Sequence, residues 1–218
     1  MEGSKVKVFG PNKIASQLEG SKIFTKKICK KYKIPTANFK IFENLNEAKE
    51  YLTNSKYPIV IKSDGLAAGK GVYICKNYAE GEIAAKEIFS GKFGIAKELL
   101  VEEFLSGEEM SYFVICDGKD YKFFGTAQDH KRVGEGDRGK NTGGMGCYSP
   151  SRLFTSKRVE KINMKIVNPT LKAINDLGTT YKGFLYVGLM IKDNEPYLVE
   201  FNVRMGDPEC QTILPMLQ

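Results

Sequence analysis

The stretch PIVIKSDGLAAGKGVYIC, Pro58 to Cys75, reads as a short buried strand, a lysine at its end, a glycine-rich loop and a second strand. Ile59, Val60 and Ile61 form a continuous apolar run, which suits a strand covered on both faces. Lys62 follows directly, and Gly65, Gly69 and Gly71, with Ala67 and Ala68 among them, leave the loop with little side-chain bulk. Such a loop can bring backbone N–H groups close to phosphate oxygens, because no Cβ stands in the way. Lys62 and Lys70 add positive charge, so the stretch reads as a loop that closes over a nucleoside triphosphate. Taken alone, a glycine-rich connection between strands is more often an ordinary hairpin turn. It is not a P-loop, because Lys70 is followed by Gly71 rather than Ser or Thr, and no G-x-G-x-x-G opens a helix here.

With 218 residues, 42% hydrophobic and 27% charged, the chain has the profile of a soluble globular protein with room for one large domain or two small ones. Its longest apolar stretch, around Phe184 to Ile191, is interrupted by Gly188 and is too short to span a bilayer. No charged-then-apolar leader follows Met1, so export is not expected. Cys29, Cys75, Cys116, Cys147 and Cys210 are scattered without a C-x-x-C pair, and the single histidine, His130, excludes most Cys/His zinc sites. A reducing cytoplasm fits best. The net charge of +7 is local: residues 1–40 hold ten lysines against Glu2 and Glu19, and the remainder is close to neutral. Lys26, Lys27, Lys30, Lys31 and Lys33 fall on one expected helix, where a solvated face explains them as well as any partner does. Aromatic residues do not interleave with them as base stacking requires, so no nucleic-acid partner is expected.

Along the chain, KVKVFG (5–10) is strand-like, and Ser21 is positioned to cap a helix from Lys22 to about Tyr32 with Phe24, Ile28 and Tyr32 on one face. Asn46 is expected to cap a second helix ending near Leu52, and Tyr78 to Ser90 a third with Ile83 and Ile88 inward. Leu99 to Phe104 reads as a strand, and Glu109–Cys116 and Tyr121–Ala127 as a hairpin turned at Asp117-Gly118. Residues 128–149 form a long loop with six glycines, too long to be kept without a use. A helix from about Ser156 to Asp176, bent by Pro169, precedes a last hairpin, Phe184–Ile191 and Tyr197–Phe201, turned at Asp193-Asn194.

Three constellations and a single arginine carry chemistry. Glu200 and Asn202 stand at i, i+2 on the final strand, so both side chains share a face and can offer oxygen ligands to Mg²⁺. On spacing alone they are more often the solvent face of an edge strand. Glu102, Glu103, Phe104, Leu105 and Glu109 read either as a hinge around adenine and ribose or as an acidic strand end and turn. His130-Lys131-Arg132 and Asn141-Thr142-Gly143-Gly144-Met145-Gly146 combine cations with exposed backbone amides, as an anionic substrate or an acyl phosphate requires. Arg204 is placed to meet a carboxylate or phosphate bidentately, or else is a surface arginine.

Taken together these residues resemble the ATP-grasp region of the glycinamide ribonucleotide synthetase family, the phosphoribosylamine–glycine ligases. The likeness rests on LEGSK (18–22), IVIKSDGLAAGKGV (59–72), VEEFLSGEE (101–109), QDHKRVGEGDRGKNTGGMGCYSP (128–150), GFLYVGLM (183–190) and EFNVRMGDPE (200–209). It implies an α+β ATP-grasp fold of two α+β subdomains with ATP between them. Residues 34–103 would form the smaller, lid-like part, 21–33 and 104–218 the larger, and 1–20 a linker from an N-terminal domain missing here. The resemblance further implies that glycine and 5-phosphoribosylamine are joined through glycyl phosphate at the expense of ATP. Lys22, Lys62 and the loop of Gly65, Gly69, Lys70 and Gly71 would hold the phosphates; Glu102, Glu103 and Leu105 would frame adenine and Glu109 ribose. Glu200 and Asn202 would bind Mg²⁺, with Mn²⁺ as an alternative. Lys131, Asn141, Thr142, Gly143, Gly144 and Arg204 would orient glycine and its acyl phosphate, Arg204 and Lys62 acting in catalysis. The resemblance assigns no role to His130. Met205 stands where the family usually has an aromatic residue. Because the family's N- and C-terminal domains are absent, the alternative is an ATP-binding fragment without activity of its own. The oligomeric state is not implied.

Overall fold

The computed structural model describes residues 7–66, 71–94, 98–130, 132–135, 138–142 and 144–217, with 132 and 138–141 by backbone alone. The chain runs α1 (Gln17–Gly20), α2 (Lys22–Tyr32), β1 (Phe39–Phe42), α3 (Leu45–Thr53), β2 (Ile59–Ser63), β3 (Val72–Cys75), α4 (Tyr78–Phe89), β4 (Leu99–Glu103), β5 (Glu108–Asp117) and β6 (Tyr121–Asp129). Short β7 (Arg132–Gly134), β8 (Arg138–Asn141) and β9 (Cys147–Tyr148) follow, then α5 (Ser156–Ile162), a π-helical turn (Asn163–Val167) and α6 (Asn168–Asp176). The hairpin β10 (Lys182–Lys192) and β11 (Glu195–Asn202) and the short α7 (Glu209–Ile213) complete it. The expected α+β class holds: a small sheet ordered β1-β4-β2-β3 and a larger one ordered β11-β10-β5-β6-β9, each antiparallel throughout.

In the small sheet β2 is interior, with Ile61 opposite both Tyr73 and Val101. Strand alternation sends Ile59 and Ile61 into a cluster with Leu52 and Ile88 from the covering helices, and turns Lys62 the other way. The larger sheet buries Tyr112, Val114, Leu185 and Val187 against Ile162, Ile166 and Ile174. Its opposite face carries Phe113 and Tyr186, against which Ile213 of α7 packs. The β10–β11 turn falls where expected, Asp193 and Asn194 both adopting positive φ (52° and 62°) as a two-residue hairpin demands.

Several local expectations are corrected. Residues 7–10 lie outside any strand, and Phe9 meets the edge of the Phe184 ring instead. The cap of α3 is Asn44, whose side chain accepts from the Glu47 N–H, while Asn46 sits inside the first turn. In α4, Ala84, Ala85 and Ile88 are buried but Ile83 is 57% exposed, because five residues on a helix separate Ile83 from Ile88 by about 140°. Before Pro169 the helix widens into the π turn, which absorbs the missing N–H and the ring's clash with the preceding turn. The 128–149 loop contains the β7–β8 hairpin and β9. Lys26 is not on a solvated face: it is 2% exposed.

The sheets are joined by residues 104–107, and Gly107 lies so close to β10 that a Cβ there would collide with the Ile191 carbonyl oxygen. Gly107→Ala therefore lowers stability by about 1–3 kcal/mol, the usual cost of overpacking, read as a reduced urea midpoint.

Candidate functional site

A cleft of about 340 Å³ opens where the two sheets meet. Its cationic wall begins at the N-terminus of α2. There Ser21 caps the helix through Phe24 N–H and also donates to both carboxylate oxygens of Asp64 at 3.0 Å, while Ile23 N–H donates to Asp64 Oδ1 at 3.1 Å. Asp64, just after β2, thus pins the loop to the helix. Lys22 Nζ donates to the Gly65 carbonyl at 3.0 Å. Burial pushes the Lys22 ammonium below the ordinary lysine range, with Glu200 opposing that shift.

Deeper in the same wall, Glu102 is 4% exposed and lies between two lysines. Lys26 Nζ is 3.0 Å from its Oε2 and Lys62 Nζ 3.0 Å from its Oε1, both ammonium groups being nearly as buried. Burial alone would raise the Glu102 carboxyl, but Lys62 and then Lys26 hold it below the ordinary carboxylate range. Burial lowers Lys26, with Glu102 opposing. One carboxylate against two ammonium groups leaves this wall positive. Cys29, next to Lys26, has its thiol pushed up to about 12 by burial and is no nucleophile.

The opposite wall is β11. Gly188 pairs with Glu200 and Leu189 with Leu198, so Val199 is the extra residue of a β-bulge. Strict alternation would have put Leu198, Glu200 and Asn202 on one face. The bulge resets the phase, so Leu198 and Phe201 enter the core while Glu200 and Asn202 line the cleft. Gly188 makes room for this: a Cβ there would stand 3.3 Å from Glu200 Cγ. At the rim Arg204 pairs with Glu19 at 3.0 Å and lies 3.5 Å from Asn202 Oδ1, and Glu19 also accepts from Val203 N–H at 2.8 Å.

The cleft therefore gathers Lys22, Lys62, Gly65 and Glu102 on one side and Glu200, Asn202 and Arg204 on the other, with Thr142 entering from the long loop. Other expected residues stand elsewhere. Gly71 closes the base of the β2–β3 hairpin, its carbonyl accepting from Ser63 N–H at 2.8 Å. Glu103 binds the backbone and side-chain amides of Asn38, each at 3.0 Å. Leu105 is buried, and Glu109 borders a small recess behind Glu200. Gly144, at φ +122°, sits so close to Pro208 that a Cβ would be 2.8 Å from its ring. Gly69, Lys70, Lys131 and Gly143 lie outside the described residues, as do Ala67, Ala68 and the side chains of Arg132 and Asn141. His130 is exposed beside the Tyr148 ring.

Five residues of the site have no role assigned to them by the sequence reading: Lys26, which lies outside the quoted motifs, and Glu19, Asp64, Asp129 and Glu209, which lie within them. Glu209 is buried at the start of α7 and accepts from Ser111 Oγ at 3.0 Å, and Ser111 in turn lies 3.1 Å from the Tyr186 hydroxyl. Only a buried lysine's need for a counter-ion could have linked Lys26 to Glu102, and burial is not written in a helix's lysine count.

Residues 20–210 match the family described as phosphoribosylglycinamide synthetase, ATP-grasp (A) domain. A phosphoribosylamine–glycine ligase of Mesorhizobium japonicum is 49% identical over 219 aligned residues, covering 100% of this chain and 52% of the relative. The Pasteurella multocida enzyme of the same name is also 49% identical, over 98% of this chain and 50% of its own. The crystal structure of the Thermotoga maritima ligase superposes with a TM-score of 0.89 at 40% identity, over 95% of this chain and 53% of that one. The biotin carboxylase domain of a Hydrogenobacter thermophilus 2-oxoglutarate carboxylase, at 21% identity and a TM-score of 0.71, shares the fold. The chain spans about half the length of the curated relatives it matches.

Removing Glu102 leaves two buried ammonium groups without their carboxylate, and Glu102→Ala costs about 3–5 kcal/mol in urea unfolding at neutral pH. Because the folded carboxyl is held low, its contribution is complete above the unfolded value of about 4.3 and is lost as pH falls through the lower folded value. The deficit of Glu102→Gln against the parent therefore shrinks when the unfolding is repeated below about pH 4.

Proposed function

Because this chain belongs to the phosphoribosylglycinamide synthetase ATP-grasp domain family, we propose that it carries the nucleotide and acyl-activating site of a ligase joining glycine to 5-phosphoribosylamine. The products are glycinamide ribonucleotide, ADP and phosphate, as in de novo purine synthesis. The observation that carries the reading is the convergence of Lys62 with Glu200 and Asn202 on one cleft large enough for a triphosphate.

In the first step a glycine carboxylate oxygen attacks the γ-phosphorus of ATP, and the bond to the β-phosphate oxygen breaks to release ADP. The phosphoribosylamine nitrogen then attacks the acyl carbon of glycyl phosphate, phosphate leaves with the bonding pair, and the amine gives up a proton. Both steps call for positioning and charge neutralisation. Lys22 and Lys62 supply positive charge beside the phosphates, and Arg204, with Thr142 also lining the cleft, meets the glycine carboxylate. Glu102, ion-paired with Lys62 at 3.0 Å, holds that ammonium in place.

Glu200 and Asn202 fit a hard divalent cation: they offer two oxygen donors on one face of β11, and among the described residues no group of three or more His, Cys, Asp or Glu forms a complete cage. Two protein oxygens, with phosphates and water completing the shell, suit Mg²⁺, or Mn²⁺ in its place. When bound there, the cation would neutralise charge on the phosphates. Among the described residues no helix is long and apolar enough to cross a membrane, and Cys29, Cys75, Cys116, Cys147 and Cys210 are free thiols, which supports a reducing, cytoplasmic setting.

Half-length coverage of the relatives favours a second reading, in which the chain holds Mg-ATP and forms no product by itself. Calorimetry with Mg-ATP and a glycine-dependent phosphate-release assay, with and without phosphoribosylamine, separate the two. Turnover supports the ligase, binding without turnover the second reading, and no binding defeats both. Lys62→Met and Glu200→Gln each weaken Mg-ATP binding by about tenfold or more, the net worth of a hydrogen bond to a charged group; unchanged affinity in both removes the site.

A further inference from the structure

Lys26 belongs to none of the contacts that the proposed reaction needs, yet it is one of the most enclosed charges in the chain. Its ammonium is 3.0 Å from Glu102 Oε2 and also donates to Thr36 Oγ1 at 2.5 Å. Thr36 in turn donates to the Leu198 carbonyl at 2.6 Å, and beside it Leu198 N–H donates to the Pro35 carbonyl at 2.8 Å. Thr36 and Leu198 form an isolated parallel bridge, so the segment entering the small sheet is tied to β11 of the large one. The Lys26 ammonium also lies over the Phe39 ring of β1, 5.6 Å from its centre. A continuous polar path therefore runs from the Leu198 carbonyl through Thr36, Lys26 and Glu102 to the Lys62 ammonium. It starts two residues before Glu200 on the strand that carries Glu200 and Asn202, and it ends on the strand that carries the phosphate-facing lysine.

We infer that Lys26 is a positioning residue that fixes the Lys62 ammonium, through Glu102, at a set place opposite Glu200 and Asn202, coupling the two sheets across the cleft. This deepens the nucleotide-binding reading and rests on it for the identity of the ligand. Two physical effects support it. Lys26 shares Glu102, so that Lys62 keeps positive charge to offer a polyanion; without Lys26 the carboxylate neutralises Lys62 alone. Thr36 ties Lys26, and through it the shared carboxylate, to the backbone of β11, so the two walls hold a common register.

The test uses the full chain in four variants for binding and a fifth for resonance assignment, with Mg-ATP and inorganic tripolyphosphate as probes, under conditions where urea titration shows each variant fully folded. Lys26→Met lowers affinity for both probes by about tenfold or more, the worth of a charge-assisted contact. Thr36→Val, which alters no charge and leaves the Lys26–Glu102 pair standing, lowers it by about threefold, and Thr36→Ser, which keeps the hydroxyl, restores it. Lys31→Met, on the exposed face of α2, leaves it unchanged. A merely structural Lys26 would lower the urea midpoint and leave affinity as it was. The ligand-free readout is the ¹⁵N ammonium resonance of Lys62, assigned through Lys62→Arg: it shifts in Lys26→Met and Thr36→Val and stays in Thr36→Ser and Lys31→Met. Parental affinity in both Lys26→Met and Thr36→Val overturns the inference. If the parent chain binds neither probe, the nucleotide reading falls, and the Lys62 resonance decides the coupling on its own: movement sustains it, constancy removes it. Should Lys26→Met not fold, the charge-neutral Thr36 pair decides between coupling and its absence by the same two readouts.

Discussion

A carboxylate enclosed with two ammonium groups governs how this molecule is put together. Glu102 comes from the small sheet's β4, Lys62 from its β2 and Lys26 from α2, which packs on the large sheet. None of the three charges is tolerable alone in a dry interior, because the desolvation cost of an unpaired ion is several kcal/mol. Each offsets that cost for the others only when all three elements meet, so the ion triad ties the placement of one sheet to the other. It also leaves a net positive charge at the cleft wall, the sign that a polyphosphate needs.

The facing wall solves a different problem. β11 must bury Leu198 and Phe201 in the large core and still present Glu200 and Asn202 to the cleft, and a regular strand with period two cannot do both. One extra residue, Val199, resolves the conflict by shifting the phase midway along the strand. Gly188 across the ladder then leaves the space into which the Glu200 stem fits. The cleft is thereby cationic on one side and rich in oxygen donors on the other, a polarity suited to a phosphate chain accompanied by a divalent cation.

Much of this is legible from the residues alone, though not evenly. Ser21 before an apolar period marks the start of α2, and Asp193-Asn194 marks the last hairpin, since each signal acts over three or four residues. The apolar run before Lys62 marks β2 as interior. Sequence reading errs at the cap of α3, where Asn44 and Asn46 lie within one turn of each other, and at Ile83, where spacing without the helical angle misplaces the side chain. Within the site, Lys62, Glu200, Asn202 and Arg204 are legible as candidates, whereas Lys26 looks like one more solvated lysine and nothing local marks Asp64.

By itself the amino-acid sequence determined the α+β class, most element boundaries, the family and several of the charged residues that line the cleft. These follow from local periodicity, caps, turn conformations and motif identity. Only the tertiary structure decided that Lys26 is buried, that Glu102 is shared by two lysines, and that Glu200 faces the cleft rather than the core. Those outcomes depend on desolvation, on pairing between distant segments and on the phase shift at a bulge, and none of these is a property of any short stretch of the chain.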